Sequence, residues 1–166
     1  RSAIELPRLI SEIAATLREK ADSRGITLQI DMASESILSD PQQLSMLFSN
    51  LIANAISYSR DRGRVQISSS SDDDAVSVSI KDEGIGIRDD ALSEIFDEYF
   101  RTKEATKFNR QSTGLGLAIV KVIAQKLKLD VRVQSELEKG TTFTVVMPRN
   151  AATNLGGTYG KNTDNR

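Results

Sequence analysis

The stretch with the clearest structural signal covers residues 40–58 and reads DPQQLSMLFSNLIANAISY. Asp40 is a good helix N-cap, and Pro41 suits the first helical position, where a missing N–H costs nothing. The stretch predicts an amphipathic helix that ends at about Tyr58. Its apolar stripe consists of Leu44, Leu47, Phe48, Leu51, Ile52 and Ala55.

Three polar residues follow one another along a single side of this helix. Asn50, Asn54 and Tyr58 are spaced four apart, which places them above one another on the helix surface. An amide oxygen can bind Mg²⁺, a hard ion that prefers oxygen and is often shared with substrate phosphates. Two surface amides and an edge aromatic would have the same spacing, so this motif alone leaves both interpretations open.

Outward from this helix, apolar periodicity predicts further elements on both sides. Upstream, residues 6–21 have a helical stripe, residues 26–30 alternate as a strand does, and residues 37–38 suit a second short strand. Downstream, residues 65–67 and 76–80 alternate on either side of a polar tip, which predicts a hairpin.

The C-terminal half continues this mixture of helix and strand. A short helix is expected at about residues 89–96, and residues 97–113 lack apolar periodicity, which predicts a long loop of functional importance. A helix should begin at Gly114, followed by strands around residues 131–133 and 143–147.

This order of elements indicates an α+β fold. We predict a two-layer α/β sandwich over residues 1–149, with a mixed five-stranded sheet and about three helices on one face. The order is not the regular alternation of a Rossmann fold. Residues 150–166 are mostly polar or glycine, and we predict that they form a disordered tail.

The composition excludes several kinds of chemistry. The chain has no Cys and no His, so disulfides, Cys or His metal sites and imidazole catalysis are ruled out. The formal net charge of −1 gives no global field for nucleic acid or an anionic membrane. No apolar run is long enough to span a membrane. Because the chain begins at Arg1 rather than Met, we expect a piece of a longer protein.

A second polar motif, Asp82-x-Gly84-x-Gly86-Ile87, stands at the end of a predicted strand. A carboxylate there can accept the amino group of adenine and would repel the carbonyl of guanine. The glycines allow close backbone approach and positive φ. A tight turn from strand to helix would have the same sequence, so the motif is weak when taken alone.

A third motif, residues 113–117 (TGLGL), stands at the predicted start of a helix. Free N–H groups and the helix dipole favour a phosphate at such a position. The loop before it carries a local charge of +3, from Arg101, Lys103, Lys107 and Arg110 against Glu104. The motif is neither a Walker A loop nor a Rossmann fingerprint, and a solvated charged loop is the alternative interpretation.

A fourth motif, Gly140-Thr141-Thr-Phe143, precedes the last predicted strand. Thr141 could offer a hydroxyl to a bound base or to Asp82. Taken alone, the motif is more typical of an ordinary strand beginning.

Taken together, the motifs resemble those of the catalytic ATP-binding domain of sensor histidine kinases, within the superfamily that also holds gyrase B, large heat-shock chaperones and mismatch-repair ATPases. The resemblance covers about residues 4–148. It rests on an asparagine box (NLIANA, 50–55), a first glycine box (DEGIGI, 82–87), a phenylalanine box (IFDEYFR, 95–101), a second glycine box (GLGLAIV, 114–120) and a closing strand motif (GTTF, 140–143).

The resemblance implies a site for ATP and Mg²⁺. Asn54 would bind Mg²⁺ through its side-chain oxygen, Asn50 would support the metal and phosphates, and Tyr58 would pack on or beside adenine. Asp82 would hold the adenine amino group, directly and through a water shared with Thr141. The residues 101–113 would form a lid, with Gly114 and Gly116 cradling phosphates. The full set of further nucleotide-binding residues is Gly84, Gly86, Ile87, Arg101, Lys103, Arg110, Thr113, Gly114, Leu115, Gly116 and Leu117.

Asn50 separates two branches of the resembled superfamily. The ATPase branches carry a Glu there that activates water, and an amide cannot take a proton in this way. The resemblance therefore implies phosphate transfer to an external nucleophile, a His on a preceding dimerisation domain. Since this chain has no His, it cannot phosphorylate itself on histidine.

Three positions depart from the family pattern. Ser57 stands where the family often has a Lys that helps hold phosphate, which is expected to weaken ATP binding. Ser112 replaces a frequent Gly and stiffens the lid hinge, and Tyr99-Phe100 reverses the usual order of aromatics. Full and weakened kinase activity both stay open.

Two other functions are compatible with the sequence: a serine or protein kinase of the anti-sigma factor type, and a nucleotide-binding pseudokinase. The expected partners are the His-containing dimerisation domain of the parent protein and, indirectly, a response regulator, with no nucleic-acid or membrane contact by this domain. We expect a cytoplasmic domain, whether or not the parent protein is anchored in a membrane.

Overall fold

The computed structural model of the chain describes residues 1–109, 112–149 and 160–161. Its helices and strands alternate in an order close to the predicted one. In chain order they are β1 (Ser2–Glu5), α1 (Leu6–Asp22), β2 (Thr27–Asp31), β3 (Ser36–Ser39), α2 (Pro41–Tyr58), β4 (Arg64–Ser71), β5 (Ala75–Asp82), a 3₁₀ turn (Asp89–Ala91), α3 (Lys103–Phe108), α4 (Gly116–Leu127), β6 (Asp130–Glu136), β7 (Gly140–Pro148) and β8 (Gly160–Lys161).

The main sheet has the strand order β2-β4-β5-β7-β6-β8. The inner pairs β4–β5, β5–β7 and β7–β6 are antiparallel, while β2–β4 and β6–β8 are parallel. The predicted mixed sheet of five strands is thus confirmed, and the two-residue β8 adds a sixth strand at its edge. The rest of the predicted tail lies outside the described residues, and its disorder stays a prediction.

One face of the sheet is apolar and the other is polar. Along β5, the buried residues alternate with half-buried serines, and along β7 with half-buried residues that include threonines. On the polar face, Ser79 Oγ and Thr144 Oγ1 hydrogen bond at 3.0 Å. The apolar face packs with the buried residues of α1, α2 and α4 into one core, because only burial against helices removes this apolar surface from water.

Three local differences from the sequence prediction are present. Strand β3 pairs with β1, which the sequence did not predict, in a separate two-stranded sheet. The helix expected at residues 89–96 is a 3₁₀ turn followed by further tight turns, because its backbone bonds join residues three apart. The long loop contains the short helix α3, whose N-cap Thr102 accepts a hydrogen bond from Ala105 N.

Helix α2 follows its sequence pattern closely. The Asp40 side chain accepts a hydrogen bond from Gln43 N at 3.0 Å, as an N-cap should. All six residues of the predicted apolar stripe are buried, and so is Ile56. Among the described residues, no helix has both the length and the apolar character that crossing a membrane requires.

Candidate nucleotide-binding site

A cavity of about 210 Å³ opens between α2, the end of β5, the lid and the start of α4. It brings together most of the residues that the sequence singled out. Those that line it are Asn50, Asn54, Tyr58, Asp82, Gly86, Ile87, Arg101, Gly114, Gly116, Leu117 and Thr141.

Asp82 lies at one end of this cavity and is only 4% exposed. Its Oδ1 accepts hydrogen bonds from Gly84 N at 2.9 Å and from Thr141 N at 3.2 Å. Burial raises the pKa of the Asp82 carboxyl to about 6, although these two hydrogen bonds lower it. The second carboxylate oxygen, Oδ2, accepts neither bond, which leaves it available to a ligand.

Three polar residues stand side by side across the sheet at this end. Thr141 on β7 pairs in register with Asp82 on β5 and with Ser135 on β6. The Ser135 and Thr141 hydroxyl oxygens are 2.7 Å apart, and Ser135 Oγ also accepts from Ile87 N at 2.8 Å. Ser135 was missed by the sequence analysis, because only the strand register reveals its neighbours.

The glycines of the Asp82 motif are required by close backbone packing. A Cβ on Gly84 would lie 2.1 Å from the Tyr58 carbonyl oxygen, and one on Gly86 would lie 2.0 Å from the Glu136 carbonyl oxygen. Gly86 also has φ of +69°, a conformation that other residues rarely adopt. Gly84 does not line the cavity, and its role is to let this turn pack against the end of α2.

The amides of α2 lie on the cavity wall, toward the start of α4. Asn50 donates from Nδ2 to Met46 O at 2.8 Å, and its Oδ1 would be 3.2 Å from a Cβ placed on Gly116. Asn54 has no hydrogen-bond partner for its side chain within the described part of the chain. A free amide oxygen on a cavity wall can therefore bind an ion or a ligand.

Arg24, which the sequence analysis did not identify, closes the C-terminal end of α2. Its guanidinium donates to Ile56 O at 2.6 Å, to Ser57 O at 3.1 Å and to Ser59 O. These carbonyls lack partners within the helix, so Arg24 satisfies them and complements the helix dipole. The last turn of α2, which carries Tyr58, is thereby held in place.

The lid contacts α2 through Arg101 and Phe108. Arg101 Nη2 donates to Ala105 O at 2.9 Å and to Asn109 O, and lies 3.4 Å from the Tyr58 hydroxyl. Its Nε is a buried donor without a partner among the described residues. The Phe108 ring lies 6.4 Å from the Tyr58 ring and 5.6 Å from the Arg24 guanidinium carbon.

The second glycine motif reaches the cavity from the other side. Gly114 has φ of +75°, so α4 begins at Gly116 rather than at Gly114 as predicted. Its carbonyl accepts a hydrogen bond from Tyr99 N at 3.1 Å, which fixes the turn before the helix. Among the remaining predicted residues, Lys103, Thr113 and Leu115 do not line the cavity, and Arg110 lies outside the described residues.

The residues present fit a hard divalent ion shared with a ligand. Among the described residues there is no cluster of three or more acidic side chains that could hold a metal alone. Asn54 offers one uncharged oxygen, and Mg²⁺ in proteins commonly combines one or two protein ligands with substrate phosphates and water. An ion here would depend on the phosphates of its ligand.

The fold and the cavity define a two-layer α/β domain whose cavity combines a buried carboxylate, side-chain amides and an arginine. Residues 39–151 match the family described as "Histidine kinase-, DNA gyrase B-, and HSP90-like ATPase". The chain belongs to this family.

Among curated relatives, the sensor histidine kinase RppB of Synechocystis is 37% identical over 142 residues, which is 84% of this chain. Sporulation kinase A of Bacillus subtilis is 35% identical over 148 residues, or 88% of this chain. The chain spans 31% and 23% of the lengths of these two proteins.

Solved structures agree on the fold. The mycobacterial sensor histidine kinase MprB has a TM-score of 0.78 at 24% identity, with 89% of this chain and 96% of that chain covered. Full-length ShkA, solved in complex with AMPPNP, has a TM-score of 0.76 at 27% identity, with 89% of this chain and 30% of that chain covered.

Proposed function

We propose that this domain binds ATP with Mg²⁺ and transfers the γ-phosphate to a His on the dimerisation domain of its parent protein. The observation that carries the proposal is the cavity itself, which is lined by Asp82, by the amides of Asn50 and Asn54 and by Gly116 at the start of α4. The family match and the relatives named as sensor histidine kinases support it. So does ShkA, whose structure holds an ATP analogue.

At the base end, Asp82 accepts the adenine amino group. Its two backbone hydrogen bonds fix the carboxylate on the strand end, so the ligand meets a preoriented acceptor. Thr141, hydrogen bonded to Ser135, shares a water with the base in our proposal. Gly86 and Ile87 form this part of the wall, and Gly84 lets the turn that carries them pack against the end of α2.

At the phosphate end, the chain supplies neutral and positive groups. Asn54 binds the ion through its oxygen, Asn50 supports the metal and phosphates, and the N–H groups at the start of α4 face negative charge. Bound Mg²⁺ would neutralise the charge of the phosphates. Arg101 has a buried Nε without a partner among the described residues, which a phosphate oxygen would satisfy. Lys103, Arg110, Thr113, Leu115 and Leu117 complete this region in our proposal.

The acceptor must come from outside this chain, because the sequence contains no His. Asn50 has an amide where water activation needs a base, so the site favours transfer over hydrolysis. The proposed partners are the dimerisation domain and, through it, a response regulator, in the cytoplasm.

Transphosphorylation tests this function. The domain is incubated with radiolabelled ATP, Mg²⁺ and the separately produced dimerisation domain of the parent protein. We expect an acid-labile phosphate on that domain, lost when its acceptor His is replaced by Gln. An acid-stable phosphate would instead indicate a serine kinase, and ATP binding without transfer would indicate a pseudokinase.

A further inference from the structure

Lys20, in the last turn of α1, does not itself line the cavity but contacts a residue of its wall. Its Nζ donates a hydrogen bond to Ser57 Oγ at 2.8 Å. Ser57 lines the cavity and stands one helical turn after Asn54 on α2. A positive charge from another element is therefore present beside a cavity-lining residue one turn from Asn54.

The charge of Lys20 is not balanced by an acidic side chain. In the described parts of the chain, it donates to the neutral Ser57 hydroxyl, and no carboxylate forms an ion pair with it. Partial burial, together with the charge of Arg24, lowers the pKa of Lys20. Arg24 is itself paired with Asp61 at 2.9 Å, whereas Lys20 has no acidic partner among the described residues, so an anion beside its ammonium would be stabilised.

On the lid side, Arg101 serves this purpose in our proposal: its Nη2 already donates to the carbonyls of Ala105 and Asn109, and its Nε has no partner among the described residues. Ser57 itself is uncharged. On the α2 side of the site, the ammonium of Lys20 is thus the group suited to meet phosphate oxygens.

We propose that Lys20 is a phosphate-binding residue of this site, held on Ser57 so that its ammonium contacts the phosphate chain of ATP. The proposal rests on the function proposed above. Ser57 has a role in this arrangement, because its short side chain leaves room for the longer lysine and its hydroxyl orients the ammonium.

Calorimetric titration of the chain with Mg-ATP and with adenosine tests the proposal. In Lys20→Met, ATP affinity should fall about tenfold, the scale of one charge-assisted contact. Adenosine affinity should stay unchanged, since adenosine has no phosphate. Lys126→Met is the matched control, because Lys126 is also exposed and lies at the far end of α4. The ATP affinity of this variant should equal that of the wild type.

A second variant moves the charge without restoring Lys20. Lys20→Met combined with Ser57→Lys places an ammonium on the cavity wall from α2, and most of the lost ATP affinity should return. A double variant no better than Lys20→Met alone would overturn the proposal.

The remaining outcomes distinguish a failure of the Lys20 proposal from a failure of the proposed function. Wild-type ATP affinity in Lys20→Met would overturn the role of Lys20 and leave the ATP site in place. An equal loss for ATP and adenosine would show a structural effect and would also overturn it. A wild-type chain that binds no ATP would refute the function itself.

Discussion

The two ends of the cavity are built in different ways. At the base end, Asp82, Thr141 and Ser135 lie in register on three adjacent strands and hydrogen bond to neighbouring backbone or to each other. At the phosphate end, the Asn54 side chain and Arg101 Nε have no partner among the described residues. The polar groups of the first end are held in place before a ligand arrives, and the second end has groups that a charged ligand would satisfy.

This difference indicates a division of labour. A rigid sheet edge suits the recognition of a flat base, because its polar groups need no reorganisation on binding. Groups on a lid and at a helix start suit a phosphate chain that must be enclosed and then released. Changes at the base end should therefore weaken the binding of ATP most strongly. Changes at the phosphate end should reduce the affinity that ATP gains from its phosphates and from Mg²⁺.

The largest effect is expected at the base end, for Asp82→Asn. The new amide nitrogen would face the adenine amino group, donor against donor, so ATP affinity should fall about 100-fold or more. Calorimetric titration measures the loss. Glu83→Gln is the control, since it neutralises the adjacent exposed carboxylate, and it should bind ATP normally. Equal affinity of Asp82→Asn and wild type would contradict the assignment of the base end.

At the phosphate end, Asn54→Ala should remove the benefit of Mg²⁺. We expect about 10- to 100-fold weaker Mg-ATP binding, because a ligand oxygen of the ion is lost. Titrations with and without EDTA separate the two contributions. If the variant still gained affinity from Mg²⁺ as the wild type does, the ion would have to be bound elsewhere.

The sequence predicts the residues that stand in local patterns and misses those whose partners are distant in the chain. Asp82 and its glycines form one contiguous motif, and α2 has a strong helical stripe, so both were found. Ser135 and Arg24 were not, because their partners come from strand register and from the carbonyls at a helix end. Helix α3 was read as loop because none of its residues is buried, and a helix without a buried face has no apolar periodicity.

A smaller effect is expected on the pH dependence of stability, and it also arises from Asp82. Burial raises the pKa of Asp82 from 3.8 to about 6, so the folded chain holds this proton more tightly than the unfolded chain. Ionising this carboxyl therefore lowers the free energy of unfolding by up to about 3 kcal/mol, and the loss develops as pH rises from about 4 to 6.

Asp82→Asn removes this cost. Its free energy of unfolding should exceed that of the wild type by about 1–3 kcal/mol above pH 6, and the gap should narrow toward pH 4. Urea unfolding across this range measures the gap, with Glu83→Gln as the control. A gap independent of pH would show that the ionisation of Asp82 does not cause it.

The smallest effect is expected for Phe108→Ala on the lid. Phe108 is 39% exposed, and its contacts with Tyr58 and Arg24 contribute about 1 kcal/mol or less. Amide hydrogen exchange should become faster in α3 and stay unchanged in α2. Val122→Ala, at another exposed apolar position, should leave α3 unaffected. Unchanged exchange in α3 of Phe108→Ala would mean that Phe108 does not hold the lid.

The most direct measurement is a crystal structure of the chain with Mg²⁺ and a non-hydrolysable ATP analogue. We predict the adenine amino group within hydrogen-bonding distance of the Asp82 carboxylate, and the ion on the Asn54 side-chain oxygen. A nucleotide bound outside this cavity, or bound with its base at Asn54 and its phosphates at Asp82, would contradict the account.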